Sequence, residues 1–109
     1  MKKTKLSEKY CVPCEGGVPP ISAGLAKKYL KKLKKGWKIE ENKLEKEFKF
    51  KNFVQSMGFA NQVALIAQAE DHHPEMEIAY KKVEIELWTH AAKGLTENDF
   101  ILAAKIDLL

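Results

Sequence analysis

Apolar residues recur every three or four positions, then every two, then again every three or four along this chain. Ser22 is a suitable N-cap for a first helix, with Leu25, Ala26, Tyr29, Leu30 and Leu33 on one face and lysines on the other; Gly36 is expected to stop it. From Trp37 the period becomes two. Trp37 and Ile39 alternate with polar residues, and the chain is expected to turn around "EENK". Leu44, Lys46, Phe48 and Phe50 then point one way and Glu45, Glu47, Lys49 and Lys51 the other, a hairpin with one wet face. Asn52 caps a second helix over about residues 53–70. Its apolar positions are Phe53, Met57, Ala60, Ala64 and Ala67, joined by Phe59, Val63 and Ile66. That stripe is too broad for one-sided packing, so half should cover the sheet and the rest meet another subunit. After Pro74, Met76, Ile78 and Tyr80 alternate with Glu75, Glu77 and Ala79, which assigns Tyr80 to the core. "KK" makes a tight turn. Val83, Ile85, Leu87 and Thr89 follow on one face, with Glu84, Glu86, Trp88 and His90 on the other. Gly94 breaks the chain, and "TEND", Thr96 to Asp99, reads as a capping box. It opens a last helix carrying Phe100, Ile101, Ala103, Ala104 and Leu108.

The order is therefore α-β-β-α-β-β-α. It predicts an α+β fold, a four-stranded antiparallel sheet with helices packed on one face. Residues 1–20, rich in Lys and then in Gly and Pro, read as an N-terminal arm, and residues 21–109 as a single domain. A chain of 109 residues has a small core, so self-association would add burial. No apolar run is long enough to cross a membrane and the N-terminus lacks a signal-peptide core, which makes a cytoplasmic location the expectation.

Net charge is +4, unevenly placed. Residues 1–51 hold fifteen Lys and six acids, and residues 52–109 four Lys and nine acids. A basic half suggests nucleic acid, but every base is Lys, and reading of bases or phosphates favours Arg. No direct nucleic-acid binding is expected; a solvated Lys-rich helix face explains the charge. Cys11 and Cys14 form one "CVPC", half of a zinc site, followed by loop-forming "EGGVPP" rather than a redox helix.

The stretch "EDHHPEMEIAY" is less ordinary. Two of the chain's three histidines, His72 and His73, leave the second helix together, and Pro74 directs them into an extended path. His90 ends the fourth strand. A hairpin joins these points, so its two ends can lie side by side. Surface histidines, a three-histidine zinc site and metal-free acid–base chemistry all fit that placement. Adjacent histidines on extended chain point apart, which makes joint ligation awkward. An imidazole with a reference pKa of about 6.5 suits proton transfer in both directions.

The run H-H-P, five residues, Tyr80, nine residues, His90, eight residues, Asp99 resembles the pterin-4a-carbinolamine dehydratase family. It reads "HHPEMEIAYKKVEIELWTH" followed by "AAKGLTEND", and the likeness runs through "GWKIE" and "FKFKNFVQSMGFANQVALIAQAE", roughly residues 20–107. The resemblance implies a dehydratase of 4a-hydroxytetrahydrobiopterin, the 4a-carbinolamine left by aromatic amino acid hydroxylases. It would release water to give quinonoid dihydropterin, with no metal and no cofactor, in tetrahydrobiopterin recycling. By similarity His72, His73 and His90 are catalytic, with His72 and His90 the acid–base pair and His73 holding the pterin. Pro74 and Thr89 join them in substrate binding, Thr89 at the substrate edge.

Asp99 belongs to the family motif, where it would orient His90; its place in "TEND" makes it equally a capping carboxylate. Gln68 stands where relatives often carry a carboxylate, and would support His72 from one turn below without negative charge. Trp88 stands where small hydroxylic residues are common. Family membership further implies a homo-oligomer, dimer or tetramer. Some members also bind a homeodomain transcription factor and stabilise its dimer, so a non-catalytic role through the helical face is the alternative.

Overall fold

The computed structural model describes residues 5–12 and 19–109; Cys14 of the "CVPC" pair lies outside the described residues. Helix α1 spans Ala23–Leu30, strands β1 and β2 Lys38–Glu40 and Lys43–Lys49, and helix α2 Phe53–Glu70. Strands β3 and β4 span Glu75–Ala79 and Lys82–Leu87, and helix α3 Glu97–Ile106. The expected α+β order and antiparallel sheet are observed, with strand order β1-β2-β4-β3.

Local chemistry sets each boundary. Ser22 Oγ accepts the Leu25 N–H and Asn52 Oδ1 the Gln55 N–H, so both expected caps form. The first hairpin turns at Glu41 and Asn42, both at positive φ (49° and 63°), as a two-residue primed turn requires. Helix α1 is shorter than the spacing predicted. It ends at Leu30, and Gly36, with φ of 112°, instead shapes the approach to Trp37. The second hairpin turns at Tyr80–Lys81 rather than at the two lysines. Tyr80 is consequently 65% exposed and not core: the alternation that assigned it inward stops one residue earlier, at Ala79.

Register places Leu44 opposite Leu87 and Phe48 opposite Val83, on the face covered by helices. Phe59, Ala60, Val63 and Ala67 of α2 and Phe100, Ile101, Leu102, Ala103 and Ile106 of α3 complete this core. Leu108 is exposed; Leu102 and Ile106 provide the contact expected of it, because α3 ends before Leu108. Phe53 and Met57 of the expected stripe are left exposed on α2, and so are Val54 and Leu65, which the stripe did not include. The core also takes in Leu6 of the arm, from a 3-10 turn at Leu6–Glu8 that lies on α3.

One buried cluster escapes any periodicity. Asp107, at the C-terminal end of α3, accepts the Trp37 indole N–H at 2.9 Å, the Lys34 backbone N–H at 3.0 Å and the Lys46 ammonium at 2.9 Å. An acid at a helix C-terminus opposes the helix dipole. Here Lys46, pointing inward from β2, neutralises it and joins α3 to the first hairpin.

Candidate active site

Helix α2 ends in a turn that aims the histidines. Asp71 adopts the left-handed conformation (φ 50°, ψ 40°), the Asp71 N–H bonds to the Gln68 carbonyl, and the His72 N–H reaches back to the Ala67 carbonyl. This is the Schellman pattern, with Asp71 where glycine is usual. It reverses the chain at once, so His72 turns inward over α3 while His73 stays outside. Pro74 then sends the chain into β3.

His72 Nε2 lies 2.6 Å from Asp99 Oδ1. Asp99 is fully buried in the first turn of α3, and its other oxygen accepts the Thr96 backbone N–H at 2.9 Å and the Thr89 hydroxyl at 3.0 Å. Thr89 and Thr96 hydroxyls are 2.8 Å apart. Since Thr89 donates to the carboxylate, Thr96 donates to Thr89, and the hydrogens are ordered through the whole chain. A carboxylate accepts only, so the hydrogen between Asp99 and His72 sits on Nε2. In the neutral ring Nδ1 then carries the lone pair.

Two expected partnerships differ from those observed. Asp99 orients His72 rather than His90, and it caps α3 with its second oxygen. Gln68 serves His73, its Oε1 3.0 Å from His73 Nε2, because the reversal at Asp71 carries His72 away from the helix face. Thr89 is 4% exposed, and its hydroxyl bonds to Asp99 and Thr96, while the residue also lines the cavity beside His90.

His90 lies past the end of β4, in a 3-10 turn at His90–Ala92 that is closed by an antiparallel bridge from Thr89 to Gly94. It is exposed, and its ring centroid is 4.5 Å from that of Trp88. Lys43 Nζ stands 4.5 Å from the centre of the Trp88 ring, so Trp88 contacts a cation as well as an imidazole.

The three histidines line one cavity of about 690 Å³ together with Trp88, Thr89, Ala69, Glu70, Asp71 and Ala91. Among the described residues, Cys11, Val12 and Asn98 also line it, and Pro74 and Tyr80 do not. Sequence reasoning missed Cys11, Val12, Glu70 and Asn98. Glu70 and Asn98 had one available signal, their places beside His72 and Asp99 in the chain; the arm residues had none. Among the described residues, the three-ligand group whose donor atoms converge within 4.8 Å is Glu45, Glu84 and Glu86, on the outer sheet face, and not the histidines. The cavity thus offers a fixed imidazole with a buried carboxylate behind it, a second imidazole on an aromatic ring, and a third at the rim. Such a set can deliver a proton to one atom of a bound molecule and remove one from another.

The family model described as pterin 4 alpha carbinolamine dehydratase matches residues 19–109. The chain belongs to that family. A protein of Nitrosomonas europaea, provisionally named pterin-4-alpha-carbinolamine dehydratase, is 49% identical over 104 residues, covering 95% of this chain and 92% of its own. A Rickettsia canadensis protein with the same provisional name is 51% identical over 105 residues, covering 95% and 96%. Among solved structures, a transcriptional coactivator/pterin dehydratase from Brucella melitensis superposes with a TM-score of 0.78 at 35% identity, over 82% of this chain and 96% of that one. A pterin dehydratase-like protein described as a RuBisCO assembly factor in the alpha-carboxysome gives 0.55 at 25% identity, over 66% and 83%. Among the described residues of this member, no helix is long and apolar enough to cross a membrane.

Proposed function

We propose that this member of the dehydratase family converts 4a-hydroxytetrahydrobiopterin to quinonoid dihydropterin and water by metal-free histidine acid–base catalysis, in tetrahydrobiopterin recycling. The observation that carries this reading is the single cavity shared by His72, His73 and His90, with Asp99 fixing the His72 ring. Loss of water needs one proton delivered to the departing hydroxyl at C4a and one removed from N5. His72 and His90 are the proton-transferring pair, and His73, held by Gln68, binds the pterin. A positioned acid or base contributes roughly 10²–10⁴ in rate.

Stopped-flow dehydration of the carbinolamine by wild type, His72→Ala and His90→Ala tests this. Each substitution should lower kcat by roughly 10²-fold or more. Equal rates in all three proteins would remove the enzymatic reading.

A second reading rests on the uncovered strip of α2. Val54 and Leu65 are 79% and 74% exposed, with Phe53 beside them at 52%. Homo-oligomerisation as a dimer or tetramer would bury this strip, and so would a partner protein recruited by a non-catalytic dimerisation cofactor. Sedimentation of the purified chain separates the two: a monomer leaves the strip for another protein.

A further inference from the structure

The N-terminal arm reaches into the cavity, and nothing in the acid–base scheme uses it. Cys11 and Val12 line the same space as the three histidines. The Cys11 N–H donates to Glu70 Oε1 at 2.7 Å. The Val12 N–H donates to Asn98 Oδ1 at 3.1 Å, and Asn98 Nδ2 donates back to the Val12 carbonyl at 2.7 Å. One side-chain amide therefore holds both backbone groups of a single residue, which sets the orientation of that peptide as well as its distance. Glu70 is half-buried, its side chain 7% exposed, and it pairs with Lys105 at 3.6 Å.

These anchors have meaningful positions. Glu70 is two residues before His72, and Asn98 immediately precedes Asp99. The two segments that hold the imidazole–carboxylate pair thus also hold the arm. Docking for stability alone does not require this. Further back, Leu6 is buried against α3 and Lys9 pairs with Glu97 at 2.7 Å, and those contacts already secure the arm without bringing residues 11 and 12 to the cavity. The Cys11 thiol is half-buried and donates to the Asn98 carbonyl at 3.6 Å. Burial, and then the charge of Glu70, push it up to about 12, so it is a neutral, weakly polar surface at working pH and not a nucleophile.

We propose that Cys11 and Val12 form a wall of the substrate site, with Glu70 and Asn98 as positioning residues, and that this wall governs affinity for the bicyclic ring rather than the rate of water loss. The inference rests on the pterin reading above. A flat heterocycle gains affinity from close walls, while the proton transfers fall to the histidines and the Asp99 carboxylate behind His72.

Full-length wild type, Val12→Trp and Asn98→Ala are compared in two measurements, steady-state dehydration of the carbinolamine and fluorescence titration with 7,8-dihydrobiopterin. Both substitutions should raise KM and the dihydropterin Kd roughly tenfold while kcat changes less than about twofold. Val12 is 65% exposed, so Val12→Trp is expected to keep the fold if Asn98→Ala does not. On the unaltered protein, saturating dihydropterin should shift the Val12 methyl resonances, as read in ¹H–¹³C spectra, because Val12 lines the cavity. KM and Kd unchanged in Val12→Trp, or Val12 methyl resonances indifferent to ligand, overturns the wall. Wild type that binds dihydropterin and loses affinity on substitution, yet dehydrates nothing, keeps the wall and removes the dehydratase reading. Wild type that neither binds nor dehydrates removes both.

Discussion

His72 Nε2 and Asp99 Oδ1 stand 2.6 Å apart, and the carboxylate is shut off from solvent. Asp99 has no capacity to donate, so it selects one tautomer of His72 and fixes the plane of the ring. Asp99→Asn keeps the shape but allows an amide N–H to face Nε2, which would move the ring hydrogen to Nδ1. We expect kcat to fall by roughly 10²-fold or more. Long-range ¹⁵N correlation spectra of His72 should show the tautomer exchanged. An unchanged tautomer together with a lowered rate would assign the loss to packing instead.

Thr89 tests the layer behind that pair. Its hydroxyl donates to Asp99 and accepts from Thr96. Thr89→Val preserves volume and leaves both neighbours short of a bond. The expected cost is about 1–3 kcal/mol in urea denaturation. Thr89→Ser should recover most of it. If Thr89→Val matched wild type, the hydroxyl chain would have no energetic weight.

Asp107 carries a different prediction, for stability alone. Asp107→Ala removes the acceptor for Trp37, Lys34 and Lys46 together and strands a largely buried ammonium. Breaking a buried pair in this way costs about 3–5 kcal/mol. Lys46→Met should cost less, since an apolar chain fills the same path. Thermal unfolding of the two variants ranks them directly, and the reverse order would contradict the assignment.

The solvent face of the sheet is built against itself. Register sets Glu45 opposite Glu86, Glu86 opposite Glu75, and Glu84 between Glu47 and Glu77. Like charges directly across strands are destabilising, by about 0.2–1 kcal/mol per pair. Partial burial, then the charges of Glu86 and Glu40, hold the Glu45 carboxyl above its ordinary value of 4.5. With the folded value raised, the contribution of Glu45 to stability is complete below 4.5 and is lost as pH rises through the folded value. Glu84→Lys should therefore raise the denaturation midpoint at pH 7 and reduce the gain seen on mild acidification. A lower midpoint in Glu84→Lys would show that the acidic rows are not in conflict.

Element type and order followed from local chemistry. Period-two runs such as Leu44–Phe48 and Val83–Leu87 became central strands because one face had to be buried. Ser22, Asn52 and Thr96 opened helices because each supplies an acceptor where backbone N–H groups lack one. Ends were less legible. Helix α1 stopped six residues before its glycine, and Tyr80 left the core, since a turn interrupts a period without changing composition.

Histidine identity and spacing were likewise visible in the chain, and with them the family. Partner choice was not. Which imidazole meets Asp99 depends on the left-handed Asp71, a single dihedral choice that turns His72 inward and leaves His73 with Gln68. Only the folded chain decided that Cys11 and Val12, some sixty residues before the histidines, line their cavity. Periodicity records how each segment meets water. Hydrogen bonds between segments far apart in sequence leave no such record, and they are what assembled this site.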